Sequence, residues 1–146
     1  MGAEVSIVAV GYVRVATGSA RKREASVYLQ RQAILRYSQI HGIRIARFFA
    51  DHDCIADIAV RQGLNDAMAH IAKGKASVLM IAELTRLTRF MDDFLCFIQQ
   101  QEILKDGPSL ISVQERLDTR TVEGRVMLGT IHTLTQWESS ELARGA

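Results

Sequence analysis

The segment Ser77-Val-Leu-Met-Ile-Ala-Glu-Leu84 constrains the fold most, because Val78-Leu-Met-Ile81 is apolar on both of its alternating faces. Only a strand covered above and below has a use for that pattern, which makes it a central strand of a parallel sheet. The rest of the chain alternates in the same grammar. Residues 7–15 form a first apolar run, 43–50 a second strand and 110–113 a further short one. In 43–50, Ile43, Ile45 and Phe49 fall on alternate positions and Phe48 breaks the alternation. Between the strands lie amphipathic stretches with helical spacing at 26–41, 63–73 and 90–104. Ser26 is the expected cap of the first, with Val27, Leu29, Ile34, Leu35 and Ile40 as its apolar positions, and the basic stretch 18–24 before it reads as a loop. Gly42 and Gly74 mark helix ends, and Asp106-Gly-Pro108 carries the one proline. A single long helix is expected over about 121–143, with Val122, Val126, Ile131 (or Met127), Leu134 and Trp137 as an apolar stripe. The expectation is an α/β domain with a mostly parallel central sheet and a long C-terminal helix.

The 146 residues suit one domain with a sizeable core, and 48% hydrophobic with 23% charged residues is globular composition. A formal charge of +2 is too small by itself to argue for nucleic acid. Residues 1–6 lack the basic start of a secretory signal and no run of about 18 apolar residues follows, so a cytoplasmic, nucleoid-associated protein without a membrane span is expected. Cys54 and Cys96 lack metal-ligand spacing; Cys96, inside Phe94-Leu-Cys-Phe-Ile98, reads as a small core residue and Cys54 as a loop thiol. His41, His52, His70 and His132 are scattered, so neither a metal nor another cofactor is expected.

The placement of arginines carries the chemistry. Arg14 closes the first strand, Arg61 stands at a helix entrance just before Gly63-Leu64, and Arg86 and Arg89 follow the central strand in Leu84-Thr-Arg-Leu-Thr-Arg89. These are the C-terminal ends of parallel strands, where open α/β sheets build their sites. One arginine after a strand is ordinarily a solvated surface residue. Four on one edge supply forked, permanently charged donors suited to a phosphate that gains charge during displacement. A phospho-receiver domain would need acidic residues after the first strand, where this chain has Arg14 and Arg21-Lys-Arg23.

Six motifs occur in an order that resembles the serine recombinases, the resolvases and invertases. Tyr12-Val-Arg-Val-Ala-Thr17 is similar to their nucleophile strand, Tyr-x-Arg-Val-Ser-Thr. Ser26-Val-Tyr-Leu-Gln30 resembles their Ser-x-x-x-Gln, and Arg61-Gln-Gly-Leu64, preceded by Asp51, their Arg-x-Gly-Leu. Leu84-Thr-Arg-Leu-Thr-Arg89 resembles Leu-Asp-Arg-Leu-x-Arg. Asp118-Thr-Arg-Thr-Val-Glu-Gly-Arg125 matches the motif that leads into their long helix, and Gln136-Trp-Glu138 is similar to Gln-x-Glu-Arg. The resemblance spans 7–142 and implies a three-layer resolvase-type catalytic domain over 1–146. It further implies that Arg14, Arg61, Arg86 and Arg89 surround a DNA phosphate, with Gln30 nearby, and that a serine attacks that phosphate and becomes linked to it without a metal.

The departures from the pattern fall on chemistry. Ala16 stands at the nucleophile position, Thr85 where the family has aspartate, Ser139 where it has arginine, and Ile55-Ala-Asp57 where a Ser-Gly pair is usual. Thr17 and Ser19 are the neighbouring hydroxyls; neither occupies the strand position of the nucleophile. The expectation is a recombinase domain associated with DNA strand exchange and disabled at Ala16, a homodimer or tetramer through its long helix, with an active recombinase as a further partner. The alternative is a non-catalytic oligomerisation module that keeps the fold. Without a DNA-binding region after the long helix, DNA contact is expected to be weak and non-specific.

Overall fold

The computed structural model describes residues 6–15, 19–52, 61–88 and 90–145, the side chains of 135–145 excepted. In chain order the elements are β1 (Ile7–Val15), α1 (Ala20–His41), β2 (Ile43–His52), α2 (Gln62–Ala72), β3 (Val78–Ile81), a 3-10 turn (Leu84–Arg86), α3 (Met91–Gln100), β4 (Ser109–Ser112), β5 (Leu117–Asp118) and α4 (Val122–Gly145). The five strands form one sheet in the order β2-β1-β3-β4-β5, parallel except for β5, which pairs antiparallel with β4. Side-chain alternation along β1 and β3 divides the core in two. Ala9, Val13, Val78 and Met80 meet α1 through Ile34 on one face. Val10, Tyr12, Leu79 and Ile81 meet Leu64 of α2, Phe94 and Phe97 of α3 and Leu128 of α4 on the other. The result is a three-layer α/β domain with a mostly parallel central sheet and a long C-terminal helix.

Several local expectations are corrected. Helix α1 begins six residues before the expected Ser26: Ser19 is the cap, its hydroxyl accepting from Lys22 N–H at 3.2 Å. The basic stretch is therefore helix rather than loop, since Arg, Lys, Glu and Ala are good helix formers once a cap precedes them. The buried face of α1 is Gln30, Ile34 and Ser38, while Leu29 and Ile40 are exposed. In β2 a register shift opposite Ala9/Val10 places Phe48 with Ile43 and Ile45 on the α1 face and turns Phe49 to the opposite layer. The extra residue of a bulge accounts for the broken alternation. Cys96 is exposed, because the face of α3 turned inward is Phe94, Phe97 and Ile98. Two positions past Phe94 on a helix is about half a turn around. Cys54 lies outside the described residues. Strand β5, two residues long, has no counterpart among the expected strands.

The entry to α4 is tightly built. Thr121 Oγ1 accepts from Gly124 N–H at 2.9 Å, and a Cβ on Gly124 would lie 1.9 Å from the Asp118 carbonyl oxygen. Glycine at this point of the Asp118–Arg125 motif is thus a packing requirement, the helix pressing on β5. Leu128 anchors α4 in the core. The expected apolar stripe faces away from that anchor: Val122, Val126 and Leu134 are exposed, and Ile131 is half-buried on the other side.

Candidate phosphate site

The parallel strands β1, β2 and β3 end on one edge, and the polar side chains there interlock. Arg14 lies two residues beyond the last β1–β3 pair, Tyr12 with Ile81, so no strand meets its main chain on that side. Gln30 from α1 takes the place of a strand. Arg14 N–H donates to Gln30 Oε1 at 3.1 Å, and Gln30 Nε2 donates to the Arg14 carbonyl and to Ser26 Oγ, both at 3.0 Å. Ser26, expected as a helix cap, is instead the support of this buried amide. Gln30 therefore ties α1 to the main chain of Arg14, from which the Arg14 side chain starts.

Two guanidiniums, those of Arg14 and Arg61, converge on the turn after β3, and Arg86 belongs to that turn. Arg14 Nε donates to the Arg86 carbonyl at 3.0 Å and its Nη2 to the Thr85 carbonyl at 2.5 Å. Arg61, only 4% exposed, donates through Nη1 to the same Arg86 carbonyl at 3.2 Å and to that of Leu87. Arg86 Nη1 returns a bond of 3.2 Å to the Arg14 carbonyl, while its Nη2 pairs with Glu83 at 2.9 Å. Arg86 Nε is buried with no hydrogen-bond partner among the described residues. Carbonyl oxygens orient the Arg14 and Arg61 guanidiniums without neutralising them, while Glu83 offsets part of the Arg86 charge. Thr85 itself is exposed.

Asp51 builds the second wall. Its Oδ1 accepts from Gly63 N–H at 2.7 Å; its Oδ2 accepts from Leu64 N–H at 3.0 Å and from the Tyr12 hydroxyl at 2.7 Å. A carboxylate at a helix N-terminus is favoured by both the unpaired amides and the dipole. A Cβ on Gly63 would lie 2.3 Å from the Ala50 carbonyl oxygen, so this approach of α2 to β2 needs glycine. Asp51 thus occupies two of the first main-chain donors of α2. The expected entrance position of Arg61 is met, since it caps α2 in extended conformation. A cleft of about 600 Å³ opens beside Gln30 and Arg86, with Lys22 and Gln114 on its walls.

Of the residues expected at the site, Arg14, Gln30, Arg61 and Arg86 lie together, and Ala16 and Arg89 lie outside the described residues. Ser19, weighed above as a neighbouring hydroxyl, is engaged as the α1 cap. The contacts of Asp51 with Tyr12 and α2 join residues far apart in the chain and were not expected from the sequence. The signal available was a tyrosine within an apolar strand, whose buried hydroxyl needs a partner. Among the described residues no group of three or more His, Cys, Asp or Glu could hold a metal ion, and no helix is long and apolar enough to cross a membrane.

The model of the resolvase N-terminal domain matches residues 9–145. The chain belongs to the resolvase family. No curated protein matches it. Among solved structures it is similar to the N-terminal catalytic domain of TP901-1 integrase, with TM-score 0.80 and 20% identity over 91% of this chain and 97% of that one. It is also similar to a resolvase family site-specific recombinase from Streptococcus pneumoniae, with TM-score 0.72 and 21% identity over 96% and 93%. The C-terminal catalytic domain of ISC1926 TnpA, an IS607-like serine recombinase, aligns with TM-score 0.54 and 19% identity over 89% and 99%. At these identities the likeness is one of fold. Within the resolvase family frame, the Asp118–Arg125 motif is a structural joint: Asp118 pairs with Arg120 at 2.8 Å, and Arg125 Nε donates to the Thr119 carbonyl at 3.0 Å.

Proposed function

We propose that this resolvase-family domain binds the DNA backbone at Arg14, Arg61, Arg86 and Arg89, positioned in part by Gln30, and does not cleave it. The observation that carries the reading is the seating of the Arg14 and Arg61 guanidiniums on the carbonyls of the 85–87 turn, beside Arg86, whose Nε has no hydrogen-bond partner among the described residues. A phosphate oxygen is the acceptor such a donor cluster fits. The sequence supplies alanine at position 16, and a methyl group can neither attack phosphorus nor carry a covalent intermediate. DNA engagement without strand transfer is the consequence.

Duplex binding measured across a salt series tests the phosphate contact. Each phosphate neutralised contributes about −0.9 to the slope of log K against log salt. Arg86→Gln is expected to weaken duplex binding and flatten that slope by about one contact. Equal slopes for the variant and the wild type would remove Arg86 from the DNA contact.

A second reading rests on the exposed apolar side of α4, where Val122 is 73%, Val126 61% and Leu134 57% exposed. An apolar helix face of this extent fits a second copy of the chain, as homodimer or tetramer, or an active recombinase. Assembly through α4 is compatible with DNA binding and is the whole activity under the alternative of an oligomerisation module.

A further inference from the structure

A second cleft, of about 730 Å³, lies on the far side of α1 between its N-terminal half and the end of the edge strand β2. Its floor is apolar, from the half-buried Val27 and Leu35, and Tyr28 stands at its side, 62% exposed. Arg23, Arg31 and His52 line the same space, with Glu24 the one carboxylate. This layer is also where the chain keeps its charge. Residues 20–52 hold seven Arg or Lys against Glu24 and Asp51, a net +5 in a chain whose total is +2. The simplest account of the exposed Arg44 and Arg47 is protection of the β2 edge against pairing with another chain. That account leaves Arg31 unexplained. Its guanidinium lies 4.7 Å from the Phe48 ring centroid, and among the described residues it has no carboxylate partner. Stacking on an aromatic face fixes the guanidinium plane and leaves its N–H edge available.

We propose that the α1–β2 cleft is a nucleotide-binding site, separate from the candidate phosphate site, with Arg23 and Arg31 taking the phosphates and Tyr28, Val27 and Leu35 the base. The volume lies within the range of small-molecule sites, and such sites pair an apolar lining with a few placed polar groups. A bare anion would have no use for the apolar floor, and an apolar ligand none for the two arginines. The nucleotide can be free or one unit of a single strand; the recognition chemistry is the same, since a base stacks on an aromatic side chain in either setting.

Equilibrium dialysis of the full chain against ATP, with tripolyphosphate, adenosine and a short single-stranded oligonucleotide as competitors, tests this. ATP is expected to bind, with tripolyphosphate and adenosine each competing about tenfold less well. Arg23→Gln and Arg31→Gln are each expected to weaken ATP binding about tenfold, the size of a lost charged hydrogen bond. Tyr28→Ala is expected to weaken it several-fold. Arg44→Gln, the same charge change outside the cleft, is expected to leave ATP affinity unchanged, and the duplex salt series with Arg86→Gln reads the phosphate site, so failure here is separable from failure there. Competition by the oligonucleotide assigns the site to a strand unit, and its absence to a free nucleotide; both uphold the cleft. No ATP binding at millimolar concentration overturns the proposal. So does tripolyphosphate binding as tightly as ATP, or Arg44→Gln losing as much affinity as Arg31→Gln.

Discussion

Asp51 and Gln30 hold the candidate site together, each by joining an element to a strand that it follows or precedes by many residues. Asp51 receives two amides of α2 and the hydroxyl of the buried Tyr12. Asp51→Ala removes the helix acceptor and leaves that hydroxyl without a carboxylate, so a loss of about 2–4 kcal/mol is expected. Urea unfolding followed by circular dichroism measures it; a loss under about 0.5 kcal/mol would mean that water replaces the carboxylate at little cost. The arginines of the site were legible in the sequence because each lies in a short motif at the end of a strand. The partners of Asp51 and Gln30 were not, because a hydrogen bond between residues 12 to 39 apart leaves no local periodicity. Phe48 shows a middle case: the broken alternation was visible, but which of the two phenylalanines faced α1 depended on a bulge.

At the scale of elements, the strands β1 and β3 were legible because both their faces are apolar, and α4 because its length and motif are distinctive. The start of α1 was not, since a basic run on an exposed first turn has the composition of a loop. Strand β5 was missed because two residues carry no pattern; it is specified by its pairing with β4 and by the Asp118–Arg120 pair beside it. Burial pushes the Asp118 carboxyl up, but the hydrogen bonds and charge of Arg120 outweigh this and hold it below the ordinary carboxylate value, with His41 adding in the same direction. A depressed folded-state pKa gives stability that is complete above the unfolded value of about 3.9 and is lost as pH falls through the lower folded value. Asp118→Asn has no such increment to lose. The stability gap between wild type and Asp118→Asn, read from urea midpoints, is therefore expected to narrow as pH falls from about 5 to about 3. A gap constant over that range would show that the Asp118 charge contributes nothing at this joint.

Over the whole molecule, charge and apolar surface are distributed unevenly. The α1–β2 layer is basic, the strand ends gather three guanidiniums, and α4 presents Val122, Val126 and Leu134 outward. If α4 is the surface through which copies assemble, the double variant Val126→Glu/Leu134→Glu is expected to shift the chain toward monomer in sedimentation velocity with its fold intact. Unchanged association would place the interface elsewhere. The outward face of α4 was legible only as an apolar stripe, since a helix sequence shows which positions share a face but not which face its own core claims. The proposed site would hold a phosphate but lacks a nucleophile at position 16. Its most direct test is to incubate the chain with a labelled pool of random duplex DNA and follow the label first under native conditions and then after denaturation. Retention of DNA by the native protein, with none carried after denaturation, is the predicted result. A denaturation-resistant phosphoserine link, or no native retention at low salt, would contradict it.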